Sequence, residues 1–119
     1  MAEHNELGEL GEEMAVDYLS SLGYTILERN YRFDRAEVDI IAQDKEQIVI
    51  VEVKTRTSDF FGDPQEFVSP GKIKQVVKVA DHYLISKEID MEARFDIVAI
   101  LVNKKKEEIE HFIDAFYHF

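Results

Sequence analysis

The run Ile48-Val49-Ile50-Val51 is apolar at every position and is followed at once by Glu52-Val53-Lys54. Successive side chains of a strand point to opposite faces, so a stretch apolar on both faces reads as a central strand, covered above and below. The same alternation puts Glu52 and Lys54, two residues apart, on one face together with Ile50. Two charges thus enter a strand that is otherwise built for burial.

The rest of the chain supplies the cover. From Leu7 to Leu22 apolar residues fall at 7, 10, 14, 18 and 22, beside Ala15 and Leu19, the spacing of one helix face. Gly8 and Gly11 lie towards that face, where they would let the helix lie close on a sheet, and Gly23 ends it. Tyr24–Tyr31 reads as a first strand and Arg32–Arg35 as a polar connection. Val38–Ala42 and Ile48–Lys54 are two further strands of a hairpin. Residues 55–69, with Asp59, Gly62, Asp63 and Pro64, read as a loop; Ser69-Pro70 then supplies an N-cap and a first-turn proline. Ile73, Val76, Val77, Ala80, Tyr83 and Leu84 stripe a second helix to about Ser86, with Lys74, Lys78 and Asp81 outside. Phe95–Val102 is a fourth strand, 103–106 a turn, and Ile109–Phe116 a fifth strand or an irregular end. The order αβββαββ describes one α/β domain, a mixed central sheet flanked by helices.

In the neighbouring strand Glu37, Asp39 and Ile41 are expected to share a face. A hairpin with the loop Asp44–Gln47 pairs residues whose numbers sum to 91, which sets Asp39 opposite Glu52 and Ile41 opposite Ile50. A loop two residues shorter would set Glu37 there instead. Facing carboxylates repel unless something positive lies between them. Lys54 and a divalent cation would supply that charge, and carboxylates with waters are the hard oxygen ligands that Mg²⁺ takes. A surface ion pair at a strand end is the other reading of these residues. Pattern alone leaves the two level.

Length and charge bound the alternatives. A chain of 119 residues, 45% hydrophobic and 33% charged, has the size and composition of one globular domain. Without cysteine there is no disulfide framework, thiolate nucleophile or Cys-ligated metal, and no stretch reaches a membrane span, so a cytoplasmic location is expected. The net charge of −11 argues against a polyanionic partner. It is unevenly spread: residues 1–23 carry six acids and no Lys or Arg, whereas residues 24–56 carry six basic residues against seven acidic ones.

Ala36-Glu37-Val38-Asp39 and Val51-Glu52-Val53-Lys54-Thr55-Arg56 resemble the metal-site motifs of the PD-(D/E)xK superfamily of restriction-endonuclease-like and Holliday-junction-resolvase-like enzymes. With Gly8-Glu9-Leu10-Gly11-Glu12 followed by Ala15, Asn30-Tyr31-Arg32 and Arg94-Phe95-Asp96, nearly the whole chain resembles the bacterial YraN-like family, whose members are similar to such nucleases. One departure is Ala36, where that family usually has Gly, which bears on the role of Glu37. The resemblance implies a restriction-endonuclease-like fold and a Mg²⁺ or Mn²⁺ ion held by Asp39, Glu52 and the Val53 carbonyl. It further implies a metal-activated water attacking phosphorus, and Lys54 positioning that water and offsetting charge on the phosphate. Glu12 resembles the helix-borne acid that some of these enzymes add to the metal site; a solvated acid near a helix N-terminus is its equal alternative.

Other candidates carry less. Arg32, Arg56, Lys72 and Lys74 are candidate phosphate contacts, although surface solubility explains each of them. Phe60, Phe61 and Phe67 would stack on unpaired bases or bury their loop. His4, His82, His111 and His118 lack metal-ligand spacing and read as incidental, and Phe112, Phe116, Tyr117 and Phe119 read as sheet packing. Two functions follow: a Mg²⁺-dependent endonuclease acting on DNA, with branched and single-stranded forms as candidates, or a non-catalytic module of the same fold that binds nucleic acid or a protein partner. A homodimer is expected only by analogy with nucleases that cut two strands.

Overall fold

The computed structural model describes residues 2–58 and 68–115, with side chains from residue 6 onward. The expected loop residues Asp59, Gly62, Asp63 and Pro64, the aromatics Phe60, Phe61, Phe67, Phe116, Tyr117 and Phe119, His118 and the side chain of His4 lie outside the described residues.

The elements are α1 (Ala2–Ser21), β1 (Thr25–Phe33), β2 (Ala36–Asp44), β3 (Gln47–Arg56), α2 (Pro70–Ser86), β4 (Glu92–Val102) and β5 (Glu107–Phe112). They form a mixed five-stranded sheet in the order β1-β2-β3-β4-β5, antiparallel except where β4 runs parallel to β3. That parallel pair requires a crossover, and α2 lies in it.

The central run does what its composition demands. Ile48 and Ile50 bury in the cluster containing Val76, Val79, Ala80 and Tyr83 of α2, whereas Val49 and Val51 bury in the one containing Ala15 and Leu19 of α1. β4 is divided likewise, Phe95 and Ile97 against Val98 and Ile100. The two helices therefore cover opposite faces.

Local chemistry sets the boundaries. Leu22, Gly23 and Tyr24 donate back to the last carbonyls of α1, with Gly23 at φ 93. The Ser69 hydroxyl accepts from the Lys72 amide at 3.1 Å, with Pro70 opening α2. Gly11 is where the helix touches the sheet, since a Cβ there would stand 1.9 Å from Thr55 Oγ1. Gly8 has no such role: a Cβ would meet no described atom within 4 Å. The expected connection at Arg32–Arg35 is shorter than the composition suggested. β1 continues through Arg32, paired with Glu37, and only Asp34 and Arg35 turn, at φ 51 and 70. Among the described residues, no helix is long and apolar enough to cross a membrane.

Candidate active site

β2 and β3 pair as Asp44↔Gln47, Ile41↔Ile50 and Ile40↔Val51, the expected sum of 91. The ladder stops there, one pair short of Asp39 and Glu52. Beyond that point the Asp39 side chain takes over from the backbone, its Oδ2 accepting the Val53 amide at 2.7 Å. One expectation needs correcting: Glu37, Asp39 and Ile41 do not continue a regular face. Val38 and Ile41, three residues apart, bury in one cluster while Ile40 and Ala42 bury in the other, so the alternation slips once around Asp39. An irregularity of this kind re-aims a side chain.

Glu52 is 4% exposed, and its Oε2 has no hydrogen-bond partner among the described residues. Burial, and then the neighbouring Asp39 carboxylate, push its pKa up to about 7 against the weaker pull of Lys72, the Asp39 amide and Lys54. Burial also raises Asp39, opposed by the Val53 amide, Lys72 and Lys54. Each carboxyl feels the other's field or that of a further acid, which is the like-charge problem anticipated for this pair.

Two lysines answer it, one of them in an unexpected place. Lys54 is half-buried at the end of β3. Lys72, which the sequence offered as a phosphate contact opening the second helix, reaches from the first turn of α2 with Nζ 3.6 Å from Glu52 Oε1 and 3.1 Å from the Glu37 carbonyl. The remaining candidates lie around this core. Glu12 is half-buried on α1, its carboxyl raised by burial and then by Asp39, and lowered by a hydrogen bond with Asn30. It lines a cleft of about 200 Å³ between the start of α1 and Val53–Arg56, so Lys54 and Arg56 border the same space. Arg32 is exposed and lies 3.6 Å from Glu37, and Lys74 is exposed on α2.

A metal fits the donor set. A buried carboxylate oxygen without a donor among the described residues, beside a second carboxylate, is a donor set that a hard cation would suit. Among the described residues no three His, Cys, Asp or Glu side chains form a ready cluster, so the protein offers a carboxylate pair with Glu12 nearby. Few protein ligands with several waters is the habit of Mg²⁺.

A second polar cluster was missed in the sequence. Asp96, fully buried, accepts from Arg94 Nε at 3.0 Å and Nη2 at 2.9 Å and from the Asp114 amide at 3.0 Å, and its Oδ2 lies 2.7 Å from His111 Nε2. Tyr18 and Tyr24 extend it, Tyr18 Oη 3.1 Å from His111 Nδ1 and Tyr24 Oη accepting from Arg94 at 2.7 Å. Burial alone would raise the Asp96 carboxyl, but His111, Arg94 and the Asp114 amide outweigh it and hold it below the ordinary range. His111 is thus not incidental: it ties β5 to β4. The available signal was Arg94 and Asp96, two apart in an apolar strand and therefore on one face.

Fold and site together define a small α/β domain in which the buried Glu52, the half-buried Asp39 and two lysines gather where two central strands part. Residues 11–100 match the family described as "Uncharacterised protein family UPF0102", and the chain belongs to that family, in agreement with the YraN-like resemblance. A UPF0102 protein of Flavobacterium psychrophilum is 56% identical over 119 residues, covering 100% of both chains. A UPF0102 protein of Bacteroides thetaiotaomicron is 46% identical over 117 residues, 98% of this chain and 97% of the relative. Among solved structures, "The structure of Pyrococcus Furiosus SfsA in complex with Ca2+" matches 92% of this chain and 63% of that one at 12% identity and a TM-score of 0.42.

Proposed function

We propose that the chain is a Mg²⁺-dependent endonuclease that hydrolyses DNA phosphodiester bonds, with Asp39 and Glu52 as metal ligands and Lys54 as the catalytic cation. The observation that carries this reading is the buried Glu52 oxygen left without a donor among the described residues, beside Asp39. A bound Mg²⁺ or Mn²⁺ supplies a water of lowered pKa and a counter-charge for the phosphate. The chain's own part is to hold Asp39 by the Val53 amide, to keep Glu52 dry, and to set Lys54 beside both carboxylates. Lys54 then orients the attacking water and offsets charge on the phosphoryl oxygens. Glu12 extends the acid cluster from α1, and Arg56, on the cleft wall, is a candidate phosphate contact, with Arg32, Lys72 and Lys74 as further ones.

The test is cleavage of linear, branched and single-stranded DNA by purified protein with Mg²⁺ or Mn²⁺. Metal-dependent cleavage that disappears in Asp39→Ala and Lys54→Ala is expected. Activity no greater than in those variants on every substrate would end the enzymatic reading. The net charge of −11 favours one other function, a non-catalytic module of this fold with a protein partner, in a cytoplasmic setting, as monomer or homodimer. Mn²⁺ titration by calorimetry separates the two, because the module requires no metal binding that Asp39→Ala abolishes.

A further inference from the structure

The cation nearest the carboxylate pair is not the lysine of the Glu52-Val53-Lys54 triplet. Lys72 Nζ lies 3.6 Å from Glu52 Oε1, and its field acts on both Asp39 and Glu52 more strongly than that of Lys54. It is also held there. The first turn of α2 is fixed by Pro70 and the Ser69 cap, and the ammonium donates to the Glu37 carbonyl at 3.1 Å, so the side chain is anchored at both ends. A Mg²⁺–oxygen bond of about 2 Å on Glu52 would bring a divalent cation within about 6 Å of that ammonium through Oε1, and within about 8 Å through Oε2. Two like charges so close oppose one another, by about tenfold in binding for the dielectric of water and by more in a half-buried site.

Resting on the metal site of the preceding subsection, we infer that Lys72 is the resident counter-ion of the carboxylate pair: a positioning residue that keeps Asp39 and Glu52 together without metal and opposes entry of a divalent cation. Affinity for the ion is thereby set by α2 as well as by the ligands. The design has a physical logic, since a buried and a half-buried acid with no cation between them would otherwise strain the end of the sheet.

The experiment is Mn²⁺ titration by calorimetry on the full chain at pH 8 and low ionic strength. Wild type, Asp39→Ala, Lys72→Met, Lys72→Gln and Lys72→Arg are compared, each first checked for folding by circular dichroism. Lys72→Met and Lys72→Gln are expected to bind Mn²⁺ about tenfold more tightly than wild type, and Lys72→Arg to match it. Should Lys72→Met not fold, Lys72→Gln decides, because it keeps an N–H donor for the Glu37 carbonyl. Unchanged or weaker binding in the neutral variants overturns the assignment and leaves Lys72 a structural ion pair. If wild type binds no Mn²⁺, or binds it equally in Asp39→Ala, the metal site itself falls and the counter-ion role with it. If wild type binds and Asp39→Ala does not, equal affinities in all Lys72 variants remove only the counter-ion role.

Discussion

Replacing Glu52 by Gln removes a proton-binding site from the interior, and the effect on stability has a sign that pH alone reveals. The folded protein holds the Glu52 proton up to about 7, against 4.5 for the free side chain. Between those values the native state binds the proton and the unfolded state does not, so the wild type loses stability as pH rises through the folded pKa. A shift of that size corresponds to at most about 3.4 kcal/mol, and about 2 kcal/mol is expected because Asp39 shares the titration. Packing changes in Glu52→Gln are the same at every pH, so they cancel in the pH dependence of the difference. Urea unfolding of both proteins from pH 5 to pH 8.5, with chelator present, is the assay. The variant should gain on the wild type by about 2 kcal/mol across that range. Adding Mn²⁺ at pH 8 should then recover stability in the wild type and not in the variant, by about 2.7 kcal/mol at a hundredfold excess over Kd. Parallel profiles, differing by less than about 0.5 kcal/mol over the range, would show that Glu52 titrates as an ordinary solvated acid. The case for a strained site would then be lost.

Asp96→Asn should destabilise the domain by about 3 kcal/mol, a fall of about 10 °C in a thermal melt, since it leaves Arg94 and His111 facing a neutral partner. Its depressed pKa means this contribution is present above the ordinary carboxylate range and lost below about pH 4, so the two melts should converge in acid. Gly11→Ala should cost about 1–2 kcal/mol despite a gain of about 1 kcal/mol in helix propensity, because its Cβ would meet the Thr55 side chain. Thr55→Ala in the same chain should recover most of that loss in the melt.

The sheet was legible because its central strands carry period-2 and two-faced patterns that few other structures satisfy. Of the two registers that the hairpin loop allowed, the structure takes the Asp44–Gln47 closure, and with it the approach of Asp39 to Glu52. What could not be read was any feature that depends on where a long side chain ends. Lys72 is an ordinary lysine in an amphipathic helix until the crossover folds its first turn over the ends of β2 and β3. His111 shows nothing in its spacing because its partners, Asp96 and Tyr18, are brought to it by β4–β5 pairing and by α1. The slip around Asp39 is hidden for a related reason. Alternation predicts faces only while the ladder holds, and a side chain substituting for a backbone acceptor ends it.

The two buried acids of this sheet are treated in opposite ways by the fold. Glu52 and Asp96 lie on adjacent, parallel strands, with Glu52 beside Ile97 and Asp96 beside Val51. Burial pushes both carboxyls up. For Asp96 the fold supplies an arginine, a histidine and a backbone amide, and the result is a carboxylate held below its ordinary range. At Glu52 the same fold supplies one ammonium at 3.6 Å, the Asp39 amide and the weaker pull of Lys54, adds a second carboxylate, and leaves Oε2 with no donor among the described residues. A domain able to satisfy one buried acid so fully gains nothing in stability by leaving its neighbour wanting. That contrast is the physical ground for the proposed metal site, since an oxygen-rich, half-neutralised pair is the donor set a divalent cation would complete.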